Sequence, residues 1–157
     1  MQDLIRRLNS LCEFLDESFD INCGGCCLIA RYIAEHLDEL DIKYNLIIFD
    51  HDDRDEDEVI YEVQNNENVN EYNSVTGYCT CSHYCIEIED ELINCESKYE
   101  DKNYYKFRIP NITWSNIDWI YDNGDWNSIY DYKYSDTIEK IISNFFELYK
   151  NNIELIK

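Results

Sequence analysis

The sequence predicts a single domain of the α+β class, because helical patterns at both ends of the chain enclose a set of short strand patterns. The predicted helices cover residues 2–19, 26–40 and 137–151. The predicted strands cover residues 44–49, 59–63, 82–88, 91–95 and 104–109. No repeat or linker divides the 157 residues, a length that suits one hydrophobic core.

The two N-terminal helices differ in their apolar patterns. The first, 2–19, has one apolar face and is amphipathic. The second, 26–40, is apolar on more than one face, so we expect it to be largely buried. The last helix carries Asp136 and Glu139 at the spacing of a capping box, followed by an apolar stripe.

The middle of the chain alternates apolar and highly polar segments. The continuous apolar run 44–49 is typical of a central strand. The acidic run 50–58 and the Asn-rich run 64–76 predict exposed loops. Trp114, Trp119 and Trp126 are expected to be core residues.

The net charge of −21 restricts the possible partners. A phosphate backbone would be repelled, so we expect no nucleic-acid ligand, and a basic protein or peptide is the more compatible partner. No segment resembles a signal peptide or reaches membrane-spanning length, which predicts a soluble cytoplasmic protein without membrane contact. The frequent Asn, Ile, Tyr and Lys residues indicate an AT-rich genome, for which a phage is one interpretation.

Cys26 stands at the predicted start of the buried helix, directly after two glycines. The unpaired N–H groups and positive dipole of a helix N-terminus favour a thiolate, the nucleophilic form of cysteine. In a reducing compartment, the eight cysteines of the chain are more often buried thiols, metal ligands or a nucleophile than disulfides. The segment therefore predicts a nucleophile at Cys26.

The predicted hairpin supplies the partners that such a nucleophile needs. With Glu89 and Asp90 as a two-residue turn, Ile86 opposes Ile93, and Asn94 lies diagonal to His83. In this arrangement His83 would accept the proton of Cys26, and Asn94 would orient the imidazole. Glu96, opposite His83, is the alternative to Asn94.

These motifs resemble those of the papain-like and transglutaminase-like superfamily. Residues 24–30 are similar to its Gly-x-Cys-x-x-x-Ala helix, and residues 83–87 to its His-x-aromatic-x-Glu strand, with Cys85 in place of the aromatic residue. The resemblance implies a papain-like fold, in which the cysteine helix packs on an antiparallel sheet. It also implies acyl transfer on a peptide or protein amide without a cofactor. Asn22 is the candidate for the oxyanion donor, and Cys27 is the rival nucleophile because Gly24-Gly25-x-Cys27 resembles the arylamine acetyltransferase branch.

Two other functions are compatible with the sequence. A zinc site would use Cys23 and Cys26 with two residues of the later Cys/His group, such as Cys81 and Cys85. Alternatively, the chain is a non-enzymatic acidic interaction protein, for example a virion component or a mimic of DNA that occupies a basic groove.

Overall fold

The computed structural model describes residues 1–21, 25–70, 74–76, 81–94, 103–124 and 134–156, which form five helices and four strands. The helices are α1 (Gln2–Phe19), α2 (Cys26–Glu39), α3 (Glu56–Asn65), α4 (Trp114–Asn123) and α5 (Ser135–Ile156). The strands are β1 (Asn45–Asp50), β2 (Cys81–Ile88), β3 (Glu91–Ile93) and β4 (Tyr105–Ile109). The α+β class predicted from the sequence is confirmed.

The four strands form one antiparallel sheet with the order β3-β2-β1-β4. Side chains of one face, including Leu46, Ile48, Tyr84 and Ile86, join the main core with the helices. The other face carries a separate small cluster. This cluster consists of Ile47, Phe49 and Cys85, against which Leu92 and Tyr104 pack. Helix α2 lies on the first face, where it contacts β2.

Helices α1 and α2 and the central strand β1 were predicted within a residue or so of their observed bounds. The hairpin is also confirmed: Ile86 pairs with Ile93, Ile88 pairs with Glu91, and Glu89 and Asp90 form the turn. Both turn residues have positive φ, 49° and 65°. Paired positive φ values are typical of the two-residue turns that match the twist of a hairpin.

The strand predicted at 59–63 is wrong, because these residues belong to α3. Asp55 caps this helix by accepting a hydrogen bond from the Glu58 N–H at 3.0 Å, and the acidic first turn faces the positive end of the helix dipole. The predicted loop at 50–58 therefore ends where the helix begins. A short apolar run such as 59–63 fits a helix and a strand equally well.

The C-terminal half contains two further differences from the prediction. Helix α4, which carries Trp114 and Trp119, was not anticipated; both residues pack against the main core, while Trp126 lies outside the described residues. Helix α5 extends beyond 137–151 at both ends, and Asp136 lies inside its first turn rather than at its cap. Its apolar stripe is buried as expected through Ile138, Ile142 and Phe146. None of the described helices combines the length and apolar character needed to cross a bilayer.

Candidate functional site

Cys26 is the first residue of α2, as the sequence predicted, with Gly25 at the N-cap. The Gly25 N–H donates to the Ile21 carbonyl at 2.6 Å, and the Gly25 carbonyl accepts from the Ile29 N–H at 3.0 Å. These bonds hold the chain as it enters the helix. Cys26 is 5% exposed and Cys27 is fully buried, so both residues belong to the interior of the protein.

The contacts of α2 show which way each cysteine faces. Arg31 forms an ion pair with Asp118 of α4 at 2.5 Å, and Cys27 precedes it by one helical turn on the same side. Burial, followed by the neighbouring Tyr32 and Cys27, raises the pKa of Tyr121 in α4. Cys26 is rotated from Cys27 by about 100°.

The opposite flank of α2 faces α5, because Tyr32 and Ser135 share a hydrogen bond at 2.8 Å and His36 stacks on Phe146. One side of the helix is left for the sheet. The helical spacing assigns that side to Cys26, Ala30, Ile33 and Leu37, all of which belong to the main core. Both cysteines belong to the main core, and helical spacing predicts that Cys26 is on the sheet side of α2 and the rival nucleophile Cys27 on the α4 side.

The start of α2 and the start of β2 lie toward the same end of the sheet. Only residues 40–44 connect α2 to β1, so β1 runs back along the helix, and β2 is antiparallel to β1. The pairing register nevertheless separates Cys26 from His83. His83 pairs with Phe49, and residues directly opposite each other in a sheet share a face.

Phe49 belongs to the small cluster with Ile47 and Cys85, whereas Cys26 belongs to the main core with Tyr84. The alternation of side chains along β2 thus directs His83 to the face opposite α2. The strand register therefore gives no support to the expected pairing of the Cys26 sulfur with the His83 imidazole, which stays a prediction. Because side chains alternate along a strand, shifting β2 by one residue would be needed to turn His83 toward α2.

His83 and Asn94 do come together, but not through the amide side chain that was expected to orient the imidazole. The Nε2 atom of His83 contacts the main-chain carbonyl of Asn94. A carbonyl oxygen can only accept, so a hydrogen bond here requires the proton on Nε2. Asn94 has φ 62°, and its buried Nδ2 has no hydrogen-bond partner among the described residues.

Helix α1 fixes the position of this contact. The Asn94 N–H donates to Oδ1 of Asn9 at 3.2 Å, and Nδ2 of Asn9 donates to the Leu92 carbonyl at 3.1 Å. A single amide side chain of α1 thus bonds one main-chain group within β3 and one directly after its end. Hydrogen bonds thus link His83, Asn94 and helix α1 at the β3 edge of the sheet.

The remaining predicted site residues are only partly described. Asn22, Cys23 and Glu96 lie outside the described residues, and Cys81 is described only as part of strand β2. For the proposed zinc set, Cys26 and Cys85 belong to two separate clusters, so the structure does not bring them together. Within the described ranges, no group of three or more His, Cys, Asp or Glu side chains is placed to hold a metal.

A cleft of about 630 Å³, which no sequence pattern indicated, lies at the end of the sheet where β1 starts and β4 ends. Three chain reversals meet there: the α2–β1 connection, the Glu89-Asp90 turn and the segment after Pro110. The antiparallel order of the strands brings these reversals to one end. The turn signals were visible in the sequence, but their common location depends on the strand order.

The acidic run after β1 is the other charged feature of the surface. Asp50 is buried and forms an ion pair at 2.8 Å with Arg54, whose side chain is only 8% exposed. The neighbouring carboxylates are all exposed: Asp52, Asp53, Asp55, Glu56, Asp57 and Glu58.

Comparison of the chain with known proteins finds no matching family, no matching curated protein and no matching solved structure.

Proposed function

We propose that this protein is a non-catalytic acidic binding domain that associates with a basic surface of a partner protein. The proposal rests on the observation that nearly all described basic side chains are already paired with carboxylates of the same chain. Of the nine described lysines and arginines, eight form ion pairs with carboxylates of the same chain. The chain has 34 acidic residues, so most carboxylates have no basic side chain to pair with.

The distribution of charge strengthens this argument. In the run 52–58 the only basic residue is Arg54, and it points inward to Asp50. The exposed side of that run is therefore uniformly negative. Acidic residues in the first turn of α3 also stabilise the helix, but this role accounts only for Glu56, Asp57 and Glu58. A surface of one sign steers partners of the opposite sign and repels nucleic acid.

The thiol-enzyme hypothesis receives less support from the geometry. It requires Cys26 and His83 to share one proton, and the register directs the two side chains to opposite faces of the sheet. A general base must be within hydrogen-bonding reach of the proton it accepts. The carboxylates of the acidic run, in contrast, are already exposed to a basic partner.

The test is binding of a fluorescein-labelled nona-arginine peptide, measured by fluorescence anisotropy at several salt concentrations. We expect saturable one-to-one binding whose affinity falls as salt rises, because binding depends on opposite charges. An uncharged nona-glutamine peptide is the control. No binding at low salt, or binding of many peptides per chain as on an unstructured polyanion, would contradict the proposal.

A parallel assay with a p-nitrophenyl ester and a peptide amide addresses the enzymatic alternative. We expect no turnover that depends on Cys26, so wild type and Cys26→Ala should give the same background rate. Turnover that is lost in both Cys26→Ala and His83→Ala would refute the non-catalytic assignment.

A further inference from the structure

One flank of helix α5 carries a regular row of mostly apolar side chains, which we call the α5 stripe. It consists of Ile141, Phe145, Leu148, Asn152 and Leu155, at alternating spacings of four and three residues that are typical of a coiled-coil seam. Leu148 and Leu155 are 65% and 84% exposed, more than any other large apolar side chain among the described residues. Scattered single leucines are common on protein surfaces, whereas a contiguous apolar row indicates an interaction surface.

The charged residues of α5 all lie on a different side of the helix from the α5 stripe. At about 100° per residue they fall within an arc of about 100°, and an arc of about 120° that includes the stripe has no charge. The charged residues are Asp136, Glu139, Lys140, Glu147, Lys150 and Glu154. Asn144 and Asn151, which are exposed and neutral, flank the stripe. This neutral surface belongs to a chain that carries 34 acidic residues.

Helix α5 runs parallel to α2 and continues past its end. Tyr32 shares a hydrogen bond with Ser135 near the start of α5, and Lys150 donates to Glu39, the last residue of α2. Residues 151–156 of α5 therefore extend beyond α2. The first two residues of the α5 stripe pack partly against the main core, but its two leucines do not. The core of the chain thus covers only the first half of the stripe.

We infer that the α5 stripe binds the same stripe of a second copy of this chain, so that two α5 helices pack side by side about a two-fold axis. Such an interface uses the same patch on both copies. Two chains that each carry a net charge of −21 repel one another, and they can approach most closely where both surfaces are neutral. Asn152 favours self-pairing, because a single asparagine in an apolar seam fixes the register of like helices.

A basic partner and a lipid surface fit the α5 stripe less well than a second copy does. The stripe has no carboxylate to attract a basic protein, and the acidic run 52–58 lies outside α5. Helices that lie on a membrane have polar faces rich in Lys and Arg, whereas the polar face of α5 has four carboxylates and two lysines. The inference is therefore independent of the proposed function.

Sedimentation velocity of the full chain at increasing protein concentration, in about 0.5 M NaCl, tests the inference. The α5 stripe is only about 21 Å long at about 1.5 Å per residue, so the interface is small and the dimer should be weak. We expect a monomer at about 5 μM and mostly dimer at about 500 μM, with a dissociation constant on the order of 50 μM. Lower salt should weaken the dimer because it leaves repulsion unscreened, the reverse of the salt effect on nona-arginine binding.

Two double variants that leave the net charge unchanged test the location of the interface. Leu148→Gln/Leu155→Gln should weaken dimerisation at least about tenfold, because it removes the apolar area that a second copy would cover. Its melting temperature at about 5 μM, where the chain is monomeric, should equal that of wild type, because both leucines are exposed. The control Tyr61→Gln/Tyr105→Gln changes side chains of α3 and β4 that are 47% and 46% exposed, and it should dimerise like wild type. Asn152→Ile should strengthen the dimer by at least about threefold, since it completes the apolar seam.

A chain that stays monomeric at about 500 μM, or equal losses in the two double variants, would overturn the inference. An unchanged dissociation constant for Asn152→Ile would overturn it as well. Sedimentation of a monomeric chain with phosphatidylcholine vesicles, if Leu148→Gln/Leu155→Gln abolishes it, would assign the α5 stripe to a lipid surface instead. Each of these results leaves the proposed function intact, because nona-arginine binding is measured separately and should be the same for Leu148→Gln/Leu155→Gln and wild type.

Discussion

Glu87 shows how one buried charge is accommodated in this protein. Its side chain is 1% exposed and accepts hydrogen bonds from Arg108 and from Nδ2 of Asn45, the latter at 2.8 Å. Burial by itself would raise the pKa of Glu87, but the hydrogen bonds from Arg108 and Asn45 and the charges of Arg108 and Lys106 outweigh it and lower the pKa. The ionised form is therefore the one that the fold stabilises.

Replacing Glu87 by Gln should destabilise the protein by about 2 kcal/mol at pH 7, because hydrogen bonds to a charged group are lost and Arg108 loses its partner. Since the pKa is lowered in the folded state, the contribution is complete above the ordinary value of 4.5 and is lost as the pH falls through the folded-state value. Urea unfolding at pH 7 and pH 3.5 measures both effects. Glu91→Gln, exposed on the same hairpin, should change stability by less than about 0.5 kcal/mol; a pH-independent Glu87→Gln effect would contradict the assignment.

The cysteines of the core give a second prediction for single residues. Cys12 is fully buried, and burial, followed by the charges of Asp16 and Glu13, raises its pKa to about 12. Cys26 is also buried, as part of the main core. We expect iodoacetamide at pH 7 to modify Cys26 slowly in the folded protein, and His83→Ala to leave that rate unchanged, as followed by mass spectrometry of tryptic peptides. Rapid labelling that His83→Ala abolishes would restore the thiolate–imidazolium pair.

Among the elements, the hairpin was predicted with its correct register, since the register follows from the position of one turn. Ile86, Ile88 and Ile93 point to the core only if Glu89 and Asp90 form that turn. The same reasoning predicted the face of His83 relative to its own strand. It did not predict which face of the sheet α2 covers, because that depends on packing between distant segments.

The Glu89-Asp90 turn can be made more stable by substitution. Both residues adopt positive φ, which costs a non-glycine residue free energy. Substitution by Asn-Gly should stabilise the protein by about 1 kcal/mol and raise its melting temperature. Scanning calorimetry tests this, with Glu91→Asn as a control at a neighbouring position outside the turn. A lower melting temperature for the Asn-Gly variant would show that the turn is of another type.

At the scale of the whole molecule, the charge of −21 should oppose folding through self-repulsion. Raising NaCl from about 10 mM to about 1 M shortens the screening length from roughly 30 Å to 3 Å. We expect the melting temperature to rise with salt, because repulsion between unpaired carboxylates is relieved while the buried Asp50–Arg54 pair is little affected. A melting temperature that falls with salt would mean that surface ion pairs outweigh repulsion.

The sequence predicted the class of fold and the elements with clear periodicity, but it did not predict the cleft at the end of the sheet. Helix α3 was assigned as a strand because 59–63 is short and its capping residue, Asp55, was counted as part of an acidic loop. The cleft escaped detection because its lining comes from three separate reversals of the chain. Local patterns fix local structure, whereas a site composed of distant segments requires the order of the strands.

The position of the Glu89-Asp90 turn has a consequence for how this protein can change. The residues that would best relieve the backbone, Asn and Gly, are also residues that would remove two negative charges from the rim of the cleft. The stability of the turn and the negative charge at this end of the sheet thus make opposite demands on the same two positions. A lineage selected only for thermal tolerance should drift toward Asn-Gly there, and one selected to keep its acidic surface should retain the acids.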